Sequence, residues 1–126
     1  MRRMALFVMV MLLVGCRAKL NSESVVPLDP GVTHFTTIDP ITSAQTVNVS
    51  AKANSGQFSI YVFLEKDKAE AEKEIMQNKV PAKALANQQK TTEASLKAAI
   101  PANEKAVVLL TSGDGKKADV KLKLTN

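Results

Sequence analysis

The chain has 126 residues, 45% of them hydrophobic and 4% aromatic, with a formal net charge of +5, one cysteine and no tryptophan. That length provides one domain and not two. A lone cysteine excludes an internal disulfide, and lysines spread along the chain beside one tyrosine and four phenylalanines lack the clustered basic and aromatic surface that nucleic-acid binding requires.

Arg2 and Arg3 precede an apolar run from Ala5 to Val14 that leads into Gly15 and Cys16. The arginines hold the N-terminus on the cytoplasmic side, and the run has the length of a signal h-region but is too short to span a bilayer. Leu13-Val14-Gly15-Cys16 resembles the lipobox of a bacterial lipoprotein, whose cysteine is alkylated by diacylglycerol and becomes the new N-terminus. The resemblance implies a cleaved signal peptide over residues 1–15, lipidation at Cys16, export, and attachment to a membrane through the lipid. Arg17 stands where an inner-membrane retention signal has aspartate, which favours the outer membrane in a cell with two. Without Arg2 and Arg3, 15 basic residues stand against 12 acidic ones, and the net charge falls to +3.

Residues 16–30 read as the lipidated cysteine and a flexible tether, because Arg17 to Ser24 is polar without a period and Pro27, Pro30 and Gly31 break any helix. A domain is expected over 31–126. Thr33 to Ile38 is rich in β-branched residues and reads as an edge strand. Gln45 to Ala53 alternates, with Val47, Val49, Ala51 and Ala53 on one face; Gln57 to Glu65 does the same with Phe58, Ile60, Val62 and Leu64. Asn54-Ser55-Gly56 between them predicts a hairpin.

Lys66 to Asn87 departs from the period of two. It is rich in lysine, glutamate and alanine, contains no glycine, and spaces Lys66 from Glu70 and Lys68 from Glu72 by four, which predicts a short helix ending before Pro81. The segment is expected to cross over the strands, with Ile75, Met76 and Leu85 as its apolar anchors.

The strand pattern then resumes with Ala94, Leu96, Ala98 and Ile100. Ala106 to Leu110 is continuously apolar, as in a central strand covered on both faces. Gly113-Asp114-Gly115 predicts a second hairpin, into Ala118, Val120, Leu122 and Leu124. The outward Lys121 and Lys123 would protect a terminal strand against edge pairing. These segments predict an all-β protein, an antiparallel β-sandwich of about six to eight strands with one short helical crossover.

Gly31-Val32-Thr33-His34-Phe35, Phe58-Ser59-Ile60-Tyr61-Val62 and Ala118-Asp119-Val120-Lys121-Leu122 resemble the secreted β-sandwich modules of the bacterial pre-peptidase C-terminal type. The resemblance spans most of Gly31 to Leu124. It implies a sandwich and a non-catalytic accessory role.

The inventory of reactive groups agrees with a non-enzymatic module. His34, the single histidine, lies in a predicted edge strand with no sequence signal of a nucleophile or carboxylate partner, so neither a triad nor a zinc site is indicated, and no cofactor motif occurs. Asp29, Asp39, Glu65 and Asp67 border predicted strands and form a candidate Ca²⁺ set if they converge at one end of the sandwich, against the simpler reading as solvated loop acids. Lys116, Lys117, Lys121 and Lys123 read as solubilising or as a contact for anionic lipid or a surface polymer. Glu70, Glu72 and Glu74 on the crossover form a candidate partner surface, against a solvated helix face. The expectation is a monomeric, membrane-anchored envelope lipoprotein acting as a binding or structural module, with an envelope protein or surface polymer as partner. A ligand- or Ca²⁺-binding carrier is the alternative.

Overall fold

A computed structural model of the chain describes residues 20–126. Cys16, with the signal peptide expected over residues 1–15, lies outside the described residues. Among the described residues eight strands form, in chain order: β1 (Asn21–Leu28), β2 (Thr33–Ile38), β3 (Gln45–Ser55), β4 (Phe58–Leu64), β5 (Ala86–Thr91), β6 (Glu93–Ile100), β7 (Ala106–Ser112) and β8 (Ala118–Thr125). A 3₁₀ turn (Glu65–Asp67) and helix α1 (Lys68–Met76) connect β4 to β5.

The strands make two antiparallel four-stranded sheets, ordered β1-β8-β3-β6 and β2-β7-β4-β5. Every connection between consecutive strands except β4 to β5 passes from one sheet to the other, and the order is that of a jelly roll. The all-β sandwich expected from the alternation is the observed architecture. Val26, Leu28, Val47, Val49, Ala98, Ile100, Val120 and Leu122 from the first sheet meet Ile38, Phe58, Ile60, Val62, Val108 and Leu110 from the second in one sealed core.

Both expected hairpins are absent as such. β3 and β4 lie in different sheets, as do β7 and β8. An alternating strand buries its apolar face equally well beside its neighbour or across from it, so the period of two does not choose between them. The two corners pack on each other instead: the Gly113 N–H donates to the Gln57 carbonyl at 2.9 Å. Gly56 has φ +76°, and a Cβ there would lie 2.6 Å from the Lys117 carbonyl oxygen.

Part of the expected tether is also structure. Asn21–Leu28 pairs with β8 along its whole length, burying Val26 and Leu28. The alternation there is short and Pro27 interrupts it, but Pro27 is tolerated because β1 is an edge strand. β8 is therefore internal, and Lys121 and Lys123 stand on the sheet's outer face rather than guarding an edge.

Covering of β7 on both faces is as expected, and β4 shares it. Tyr61, Phe63, Val107 and Leu109 face outward from the second sheet and are sealed by Ala71 and Ile75 of α1, with Phe35 at the margin. The expected spaced-by-four ion pairs do not form. Lys66 lies in the 3₁₀ turn and reaches Glu104 at 3.0 Å, Glu70 lies 3.7 Å from Lys83, and the Lys68 ammonium sits 4.5 Å from the centre of the Phe35 ring. The crossover joins two neighbouring strands of one sheet and caps that sheet's outer face.

Candidate binding cleft

The two outer faces of the sandwich differ. On the β1-β8-β3-β6 sheet the outer face is open and polar, with Lys52 directly opposite both Lys121 and Glu93, and Lys123 opposite both Glu23 and Ser50. Lys121 is 3.1 Å from Glu23. Acids and bases alternate over this face, and Lys116 and Lys117 belong to the corner before β8, so the four lysines form no single basic patch.

On the β2-β7-β4-β5 sheet the helix leaves part of the outer face bare. Nine helical residues rise about 13 Å, whereas the seven residues of β4 extend about 23 Å. Side-chain chemistry follows the cover: Tyr61, Phe63, Val107 and Leu109 are apolar or aromatic beneath α1, and Ser59 and Thr111 are polar beyond it. The helix stops through a Schellman turn, in which the Asn78 N–H donates to the Ile75 carbonyl at 2.9 Å and the Lys79 N–H to the Glu74 carbonyl at 2.9 Å. Asn78 takes the left-handed position at φ 60°.

A cleft of about 330 Å³ fills the uncovered part. Its walls are Ile75 and Asn78 from the helix end, Ser59 and Tyr61 from β4, Gln89 and Lys90 from β5, and the end of β7. β5 carries a bulge here, since Phe58 pairs with Thr91 and Ile60 with Gln88, leaving Gln89 and Lys90 opposite Ser59 alone. Lys90 adopts φ 49°, a left-handed conformation that costs a non-glycine residue about 1–2 kcal/mol. Its N–H, displaced from the ladder, donates to the Ser59 hydroxyl at 3.0 Å, which satisfies the one buried polar residue among the described residues. The Gln89 side-chain amide donates to the Tyr61 hydroxyl at 3.0 Å. Gly113 lets the end of β7 approach the bulge, because a Cβ there would stand 3.1 Å from both Lys90 Cα and the Phe58 nitrogen.

The carboxylates proposed for Ca²⁺ do not converge. Asp29 follows the end of β1 that pairs with the start of β8, whereas Asp39, Glu65 and Asp67 lie at the opposite end, where β2 and β4 finish beside Ala106. Glu65 is 3.8 Å from Lys105 and Asp67 is 3.7 Å from Lys83, so cations of the protein already face both. Among the described residues no group of three His, Cys, Asp or Glu side chains is placed to hold a metal ion. Beside them the Lys66 ammonium is held above the usual lysine range, chiefly by its hydrogen bond to the Glu104 carboxylate.

The three helix glutamates do not form one surface. Glu70 faces Lys83, and Glu74 accepts the Ala82 N–H at 3.3 Å, while Glu72 is rotated about 200° from Glu70 around the helix axis. His34 is half-buried in edge strand β2, opposite Leu110. The cleft residues Ser59, Gln89 and Lys90 carried no signal of function in the sequence, since a polar run such as Asn87 to Thr92 reads equally as loop.

No family model matches the chain, and no curated protein matches it. Among solved structures it is similar to the pre-peptidase C-terminal domain of a collagenase from Bacillus anthracis, at 21% sequence identity and a TM-score of 0.56, covering 83% of this chain and 89% of that one. At that identity the likeness is one of fold, and it supports the resemblance drawn from the strand sequences.

Proposed function

We propose that this chain is a lipid-anchored, non-enzymatic module of the bacterial cell envelope that acts by binding a partner. The observation that carries the reading is the N-terminal pattern: paired arginines, a short apolar run, and the chain's one cysteine behind Leu13-Val14-Gly15. Two or more acyl chains on that cysteine give stable membrane attachment where one gives only marginal binding. Among the described residues no helix is long and apolar enough to cross a membrane.

The domain supports a definite presentation of its surface. Four residues separate Cys16 from the first strand residue, Asn21, so the sandwich starts within about 17 Å of the lipidated position. The start of β1 is fastened beside the C-terminus, where the Leu20 N–H donates to the Asn126 side chain at 2.9 Å. The cleft, beside the start of β4 and the end of β7, is at the other end of the strands from this attachment. A short anchor thus turns the cleft away from the membrane.

Fractionation of cells producing the wild-type chain and Cys16→Ala tests the anchor. Membrane-bound, processed wild type and unprocessed variant are expected. Normal processing and lipid labelling of Cys16→Ala would overturn the reading.

A further inference from the structure

We infer that the cleft between the end of α1 and the β4–β5 bulge binds an anionic saccharide, a sugar carrying a carboxylate or a phosphate. The chemistry of the walls sets the class. Among the described residues Lys90 is the one charged residue lining the cleft and none of them brings a carboxylate, so an anion meets a cation without an acidic competitor in the lining. Thr111 and Ser112 bring hydroxyl oxygens that can accept, since their protons go to the Ser112 and Lys116 carbonyls, and Asn78 and Gln89 bring amides that donate and accept as a polyol does. Ile75, half-buried at the end of the helix, adds carbon surface for the face of a sugar ring. The volume of about 330 Å³ is at the lower end for small-molecule sites and accommodates one or two sugar rings rather than a long ligand.

The backbone supplies an independent argument. Lys90 holds φ 49° on an exposed edge strand, where glycine would relieve the strain. Bulges re-aim side chains, and strain of this kind concentrates at ligand sites. A lysine at this position contributes nothing to the core: it is exposed, and no carboxylate among the described residues pairs with it. Its cost is offset if the cation at the cleft has a ligand to meet.

The inference rests on the binding role proposed above and not on the anchor, so failure of lipidation and failure of the cleft are read in separate experiments. The full chain, purified in detergent micelles, is titrated with glucuronate, glucose 6-phosphate and neutral glucose while backbone amide resonances are followed by NMR. Saturable shifts of the Ser59, Gln89, Lys90 and Ser112 amides with either or both anionic sugars are expected, and the two anions separate the carboxylate from the phosphate form. Glucose should bind at least about tenfold more weakly, the effect of losing one charge-assisted hydrogen bond. Lys90→Gln, which keeps the bulge and removes the charge, should lose affinity for the anions by a similar factor. Lys90→Gly should melt no lower than wild type and lose the same affinity, separating binding from folding. Equal binding of glucose, unchanged affinity in Lys90→Gln, or failure of both anions to move these amides would each overturn the assignment.

Discussion

Val26 on β1 stands directly opposite Val120 on β8, and both are sealed from solvent, at 1% and 0% exposure. The first strand is thus part of the core and not a tether. Val26→Asp buries an unpaired carboxylate and should destabilise the domain by roughly 3–5 kcal/mol or prevent folding. Val25→Asp, on the same strand but 64% exposed, should stay within about 0.5 kcal/mol of wild type. Denaturant midpoints of the two variants check the contrast; equal midpoints would return this segment to a tether.

Gly56 and Gly115 both take positive φ, at 76° and 72°, but only Gly56 is crowded. Gly115→Ala meets open space and should cost about 1–2 kcal/mol from backbone strain alone. Gly56→Ala adds a clash with the Lys117 carbonyl and should cost roughly 2–5 kcal/mol, strain and overpacking together. Thermal unfolding distinguishes them, and a larger effect at Gly115 would contradict the corner packing.

Ser59→Ala removes the acceptor of the Lys90 N–H without changing the strand's apolar surface. A loss of about 1–2 kcal/mol is expected from the unsatisfied donor. Hydrogen exchange at the Lys90 amide should accelerate by more than at its neighbours on β5. Unaltered protection there would show that the hydroxyl does not hold the bulge.

The helix glutamates should separate on substitution. Glu74→Ala removes the acceptor for the Ala82 N–H and should cost about 0.5–1 kcal/mol at this exposed site, loosening the segment after the helix. Glu70→Ala loses only an exposed pairing with Lys83 and should change stability by less than about 0.5 kcal/mol. Chemical denaturation of the single variants reads the difference. Reversing Glu70, Glu72 and Glu74 together should therefore lower stability as well as change the charge of the helix.

The sequence by itself determined six of the strands, β2 to β4 and β6 to β8, and inward faces such as Val47 with Val49 and Ala51, Phe58 with Ile60 and Val62, and Val120 with Leu122 and Leu124. Alternation at a period of two is a local property, and burial enforces it residue by residue. It also disclosed the two-sided cover of β7, because a run such as Ala106 to Leu110 is stable only with apolar matter on both faces. Tertiary structure alone decided that consecutive strands face each other across the core rather than lying side by side, since Asn54-Ser55-Gly56 serves a corner as well as a hairpin. It alone also recruited Asn21–Leu28, whose pairing energy comes from β8, nearly the length of the domain away in sequence. The cleft belongs to the same class: it exists because a nine-residue helix is shorter than the strands it covers, and because the Gln89–Lys90 bulge forms only when β5 meets Ser59. No local pattern of residues encodes a mismatch of lengths between two elements brought together by folding.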